Sequence, residues 1–420
     1  MYSNWITYLI LFSVIAHWVI DSITVALNLS SLSPVIPEEF EAVYNADEYA
    51  KSQRYTRAKS SFGLKSSAYS LMTFLILWFS GAFNIMDVFV RSFGFSIIFT
   101  GIFYIMALSS ITYLLELPFS IYSTFVLEEE FGFNKTTAKT FVLDQLKSLG
   151  LAIVLGGPLI AALVAFIQYT GPSSWLYCWV FVSIFSLVMF YVAPKYILPL
   201  FNTLTLLDDQ QLLAKIKHLA GNVNFSFGSI FLMDGSKRSG HSNAFFAGIG
   251  NSKRIVLFDT LIAKQTPEEI IAILGHEMGH YKLGHVYTSL LITMAHTFGL
   301  FFAMSIFISN DDLFKAFFIG QKSVYTGMFL FSHMLAPVEF AMQLLMTAFS
   351  RHNEFAADQF AVNAIDNPED LVSGLKKLSV DNLSNLTPHW LLVALTYTHP
   401  PVIDRIQAIR LHAAKKAKRL

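Results

Sequence analysis

"ILGHEMGHYKLGH", residues 273–285, sets three histidines and a glutamate into a stretch flanked by strongly apolar sequence. The residues just before it, "TPEEIIAIL", carry helix-start chemistry: Thr266 as N-cap, Pro267 in the first turn, and Glu268 and Glu269 near the positive end of the helix dipole. The stretch is therefore expected to be helical. A helix turns by about 100° per residue, so His276 and His280 share one face and their imidazoles can converge on a single ion. Glu277 sits between them. In this H-E-x-x-H spacing a zinc ion polarises a water, and the glutamate takes its proton before the attack on a peptide carbonyl.

A catalytic zinc needs a third protein ligand and an open position. His285, five residues past His280, is rotated by about 140° from the ligand face on a continuous helix, so it is rejected as a ligand. "SRHNEFAADQF", residues 350–360, offers Glu354 and Asp358 four apart on one helical face. Glu354 is the expected third ligand. Asp358 is expected either to orient a ligand histidine or to donate a proton to the departing amine. The cofactor expected is one zinc ion per chain, because a single cysteine, Cys178, rules out a cysteine-based zinc site and an intramolecular disulfide.

The chain of 420 residues is 54% hydrophobic and only 14% charged, far more apolar than an ordinary globular protein. It reads as a membrane protein. Lys plus Arg and Asp plus Glu both total 29, so no basic excess points to nucleic acid, and none is expected as a partner. Apolar runs long enough to cross roughly 30 Å of hydrocarbon occur at about 5–28, 67–90, 93–115, 149–169, 174–194, 286–309 and 325–349. The first, which lacks a charged n-region and a cleavage site, is expected to be a retained span rather than a signal peptide.

With seven spans, one side receives Arg91, Lys315 and Lys322. The other receives Lys51, Arg54, Arg57, Lys59, Lys65, Lys135, Lys139, Lys147 and the tail "AAKKAKRL". The second side is expected to be cytoplasmic, since basic residues in short loops stay inside. The expected fold is an all-α multi-pass membrane protein with a small α+β zinc metalloprotease domain on that side. Four segments follow: 1–194 with five spans, 195–285 with a small antiparallel sheet and the H-E-x-x-H helix, a helical hairpin at 286–349, and 350–420 with the third ligand. The hairpin leaves the cytoplasmic side and returns to it, which lets Glu354 reach His276 and His280. Ionisable residues at membrane depth, among them His17, Asp21, Asp87, Glu116, His333 and Glu339, are expected to pair or to line a polar interior.

These residues also resemble the integral-membrane zinc CAAX prenyl endopeptidases. The resemblance covers nearly the whole chain and includes "LPFSIYSTFVLEEEFGFNKTT" at 117–137, "DGSKRSGHSNAFFAGIGNSKRIVLFDTL" at 234–261 and "YTHPPVIDRI" at 397–406. It implies that His276, His280 and Glu354 bind zinc, that Glu277 is the base and that Asp358 assists. It further implies that Asn243 marks an edge strand holding the substrate backbone, and that His399 and Arg405 close the site and contact substrate or transition state. The implied partners are the lipid bilayer and a prenylated or unfolded peptide. The implied membrane is the endoplasmic reticulum in a eukaryote, or the inner membrane in a bacterium. The chain departs from the family pattern at His389, where an acidic residue is expected, and is expected to lack much of the length that animal and fungal members carry. Two rival functions stand beside this one: a general membrane quality-control protease, and a non-catalytic transporter or scaffold.

Overall fold

Asn4 caps the first long helix, its side chain accepting from the Thr7 amide at 3.0 Å, and helices make up most of the computed structural model, which describes residues 4–248 and 253–418. Among the described residues six helical segments are long and apolar enough to cross a bilayer: Trp5–Ser30, Ala46–Phe79, Ile97–Glu130, Ala138–Tyr169, Gly171–Phe201 and His285–Phe307. Val324–Met334 and Ala336–Ala364 are long and apolar enough only when taken together, and they are bent by 54° at their junction. Pro337, in the first turn of the second member, accounts for the bend, because it lacks an N–H and its ring crowds the preceding turn. Counting the bent pair as one crossing gives the expected seven.

The boundaries differ from expectation in one region. The run at 67–90 is not one helix: Ala46–Phe79 ends at Ser80, Gly81 takes φ +73, and Ala82–Arg91 follows as a separate short helix. Ten residues rise only about 15 Å, too little to span. Ala46–Phe79 instead begins well before the apolar run. Asn45 caps it, and its first half carries Lys51, Arg54, Arg57 and Lys59 outside the hydrocarbon. The apolar half alone sets the hydropathy signal, which is why the start was invisible to it.

Of the polar residues at depth, Asp87, His17, Asp21 and Glu339 stand beside a polar partner, while Glu116 and His333 line a cavity between the helices. Asp87 is 1% exposed and accepts from Arg91 Nε at 2.8 Å and from the Tyr325 hydroxyl at 2.7 Å. His17 stands 3.4 Å from Asp21, and His296 stands 3.5 Å from Glu339. Large apolar side chains such as Phe12, Ile76, Leu291 and Leu345 face outward on these helices, as a bilayer requires.

Outside the spans lies a four-stranded sheet of β1 (Leu204–Leu206), β2 (Ser229–Met233), β3 (Ala244–Ala247) and β4 (Arg254–Phe258), in the order β1-β2-β4-β3. The expected all-antiparallel sheet is corrected here: β2 and β4 pair in parallel. The physical reason is burial. Ile255, Val256 and Leu257 are buried as a continuous run, the pattern of a central strand covered on both faces. β3 pairs with β4 alone and is an edge strand.

Against this sheet packs the helix Pro267–Lys282, hereafter the motif helix. Its capping box is complete: Thr266 accepts from the Glu269 amide, and the Glu269 carboxylate accepts from the Thr266 amide at 2.8 Å. Such a cap stabilises a helix start by about 1 kcal/mol. The motif helix buries Ile270, Leu274 and Met278 in a core shared with Leu257, Val362 and Leu371. Its most extensive helical neighbour is Ala336–Ala364, the return helix, whose second half leaves the membrane region and carries Glu354.

Candidate metal centre

The motif helix presents His276 and His280 one turn apart, and the return helix presents Glu354 opposite them. The Nε2 atoms of the two histidines are 3.2 Å apart, His280 Nε2 is 3.2 Å from Glu354 Oε1, and His276 Nε2 is 3.4 Å from Glu354 Oε2. Among the described residues this is the group that can hold a metal ion, with ligand atoms all within 4.8 Å of one another. Ligands about 2.0–2.1 Å from a tetrahedral ion lie about 3.3 Å from each other, so the triangle has the size of a zinc site. Glu354 is 4% exposed, and its Oε2 is buried without a hydrogen-bond donor, as an atom meant for a cation would be.

Glycines make the approach possible. A Cβ on Gly275 would meet Ile365 and Ala361, and one on Gly279 would stand 3.1 Å from Phe360 and 3.2 Å from Ala357 Cα. The two glycines alternate with the two histidines, so the face beside the ligands lies close to the return helix.

Behind the triangle lies a charged network. Asp358 is 1% exposed; its Oδ1 is 2.8 Å from His276 Nδ1, and its two oxygens accept from Arg405 Nε at 2.8 Å and Nη2 at 2.7 Å. Arg405 is 8% exposed and also lies 3.4 Å from Glu354. Burying two opposite charges in a bidentate pair offsets their desolvation. Burial and Arg405 both oppose protonation of His276, yet the carboxylates of Asp358 and Glu354 outweigh them and hold its pKa up at about 9. That field attracts cations. A metal ion competes with the proton for the His276 imidazole.

The Glu277 side chain is partly buried, and its carboxylate makes no hydrogen bond or ion pair among the described residues. Burial pushes its carboxyl pKa up, with His276 and His280 pulling the other way. His399 reaches the cluster from the opposite side, its Nε2 3.4 Å from Glu354 Oε1 and its side chain 63% exposed. A cavity of about 840 Å³ opens there, lined by His399, Arg405, Asn243, His241, Tyr55 and Lys59, among others. Asn243 immediately precedes the edge strand β3, and its Oδ1 accepts from the Ala244 amide at 2.8 Å.

The structure thus gathers His276, His280, Glu354, Glu277, Asp358, Arg405 and His399 at one place, with Asn243 on the wall of the adjoining cavity. Asp358 is turned away from that cavity, behind His276. Three contributors escaped sequence reasoning. Arg351, on the return helix one turn before Glu354, donates to the carbonyls of Val393 and Tyr397 at 2.8 Å each and so fixes the approach to His399. His285 lies 3.0 Å from His280, because Gly284 breaks the helix that the 140° rotation assumed to be continuous. His241, outside the residues singled out from the sequence, stacks on Phe133 at 3.9 Å and lines the cavity. The basic and aromatic neighbours of the motifs were the available signals. His389, the departure from the family pattern, caps the helix Trp390–Thr396 by accepting from the Leu391 amide.

The fold and site define a membrane-embedded metalloprotease. A family model described as "CAAX prenyl protease N-terminal, five membrane helices" matches residues 26–203, and one described as "Peptidase family M48" matches residues 206–413. The chain belongs to peptidase family M48, among the CAAX prenyl proteases. It is 36% identical over 390 residues to CAAX prenyl protease 1 homolog of Arabidopsis thaliana, covering 90% of each chain. Against CAAX prenyl protease 1 of Saccharomyces cerevisiae it is 34% identical over 417 residues, covering 93% of this chain and 91% of that one. The crystal structure of Ste24p from S. mikatae superposes with a TM-score of 0.92 at 32% identity, covering 97% of this chain and 100% of that one. With a fungal relative covered this far, the expected large length difference does not hold. The membership also decides between hydrolase and transporter in favour of the hydrolase.

Proposed function

We propose that the chain is a zinc metalloendopeptidase that cleaves a peptide bond near a C-terminus, after a prenylated cysteine, with its site on the cytoplasmic face. The triangle of His276, His280 and Glu354 at tetrahedral-ligand spacing carries this reading, with His399 and Arg405, each 3.4 Å from Glu354, joining it to the wall of the large cavity. Two imidazoles and a carboxylate suit zinc, and zinc bound there supplies a Lewis acid and lowers the pKa of a coordinated water.

The chain's own residues divide the remaining work. An extended peptide adds to the open edge of β3 by backbone hydrogen bonds, with Asn243 at the start of that edge. Glu277, unpartnered beside the ligands, takes the proton of the attacking water and passes it to the departing amine nitrogen. The water oxygen ends in the new carboxylate and the C–N bond breaks. His399, on the open side, donates to the oxygen that becomes negative as the carbonyl carbon turns tetrahedral. Asp358 and Arg405 hold His276 from behind. Asp358 orients: its oxygens face Arg405 and the Nδ1 of His276, on the side away from the cavity.

The relatives' printed names supply the substrate class, and the basic residues supply the sidedness: the loop side rich in Lys and Arg is the side that holds the sheet and the motif helix. In a eukaryotic cell the endoplasmic reticulum membrane is the expected site.

The test compares a farnesylated C-terminal CaaX peptide with its unprenylated twin, using purified full-length chain loaded with zinc. Selective cleavage of the farnesylated form is expected, and Glu277→Gln should keep its zinc while losing about 10²–10⁴-fold in rate. Equal cleavage of both peptides would replace this reading with general membrane quality control.

A further inference from the structure

His285 opens the helix His285–Phe307 immediately after Gly284, whose φ of +75 ends the motif helix. The left-handed turn swings the side chain back toward the ligands. His285 Nδ1 stands 3.0 Å from His280 Nδ1, with ring centroids 5.1 Å apart at 73°. His280 directs its other nitrogen, Nε2, at His276 and Glu354. An imidazole that gives the Nε2 lone pair to a metal carries its proton on Nδ1, and that N–H needs an acceptor to fix the tautomer and the ring angle. Among the described residues the hydrogen-bond partner of His280 Nδ1 is His285 Nδ1.

The two imidazoles are therefore backed differently. His276 faces the carboxylate of Asp358 at 2.8 Å, whereas His280 faces a second imidazole. The choice has an electrostatic reason. With a doubly charged ion in place, Arg405 and the ion balance the carboxylates of Glu354, Glu277 and Asp358, and a fourth carboxylate behind His280 would leave the cluster net negative.

We propose that His285 is a positioning residue for the metal, its Nδ1 lone pair accepting the Nδ1–H of His280 so that Nε2 is held toward the ion without adding negative charge. This rests on the reading that the ion is zinc.

Zinc dissociation constants of the purified full-length chain, measured by chelator competition, test it without reference to turnover. His285→Phe keeps a ring and removes the acceptor, and is expected to weaken zinc binding by about 10–100-fold. His285→Asn keeps an acceptor and should stay near wild type. His285→Ala should be as weak as the Phe variant and recover on addition of free imidazole, which decides the matter if the Phe variant fails to fold. Wild-type affinity in His285→Phe, or no rescue of His285→Ala by imidazole, overturns the role of His285 alone. A wild-type chain that takes up no zinc overturns the zinc reading itself, and this inference with it.

Discussion

Gly279 of the motif helix faces Ala357 of the return helix so closely that a Cβ on the glycine would lie 3.2 Å from the Ala357 Cα. Ala357 stands between Glu354 and Asp358, and Gly279 precedes His280, so the spacing at this crossing sets the distance from His280 to its carboxylate partner. Gly279→Ala is expected to separate two effects. Helix propensity improves by about 1 kcal/mol, while the crowded crossing must open by a few tenths of an ångström. Zinc affinity should drop several-fold in Gly279→Ala and be lost in Gly279→Leu. Chelator competition measures both, and an unchanged affinity in the leucine variant would show that the crossing does not control the ligand spacing.

Asp358→Asn distinguishes an orienting carboxylate from a proton donor. The substitution leaves the Arg405 guanidinium, 8% exposed, without its bidentate anion, at a cost on the order of 3–5 kcal/mol. An orienting role predicts that zinc affinity falls by about 10–100-fold. A proton-donor role predicts unchanged zinc affinity and a lower kcat. Thermal denaturation and zinc titration of the same preparation separate the two.

The membrane architecture and the convergence of His276, His280 and Glu354 were legible in sequence for physical reasons. Crossing hydrocarbon demands long apolar runs, and chelation by a helix demands i, i+4 spacing. Glu354 was legible because its distance along the chain equals one excursion into the membrane and back. The helix break at Gly284 was not, since a glycine at φ +75 is indistinguishable in sequence from one tolerated inside a helix, and so His285 was placed on the wrong face. The start of Ala46–Phe79 was hidden because its first half is charged. The parallel pairing of β2 with β4 depends on which strand becomes central, a tertiary choice that short β-favouring runs do not encode.

The motif helix should lose stability in acid through Glu269. Burial pushes this carboxyl's pKa up, but hydrogen bonds from Lys377 at 2.8 Å, from Ser373 and from the Thr266 amide outweigh burial and bring it below its ordinary value. A carboxylate depressed in the folded state contributes its full stability above the unfolded pKa of about 4.3, and loses it as pH falls through the folded value. Glu269→Gln is expected to cost on the order of 1–2 kcal/mol at pH 7. Denaturation midpoints of wild type and variant should converge as pH is lowered from 5 to about 3. A constant gap across that range would mean that the Glu269 charge contributes nothing.

Arg351 ties the return helix to the segment that carries His399. Its guanidinium donates to the carbonyls of Val393 and Tyr397, at the C-terminal end of the helix Trp390–Thr396, and the turn Thr398-His399-Pro400 follows directly. Hydrogen bonds from a charged donor contribute about 1.5–3 kcal/mol each, so their removal frees this turn while Glu354, one helical turn away, keeps its own contacts. Arg351→Met preserves the apolar stem and removes the donors. Zinc affinity should stay near wild type, and kcat/KM for a cleavable peptide should fall by roughly tenfold, since His399 is no longer held where the oxygen develops charge. Arg351→Lys should recover little, because a single ammonium does not reproduce the planar fork that reaches several carbonyls. A fall in zinc affinity as large as the fall in kcat/KM would assign Arg351 to the metal centre rather than to the placement of His399.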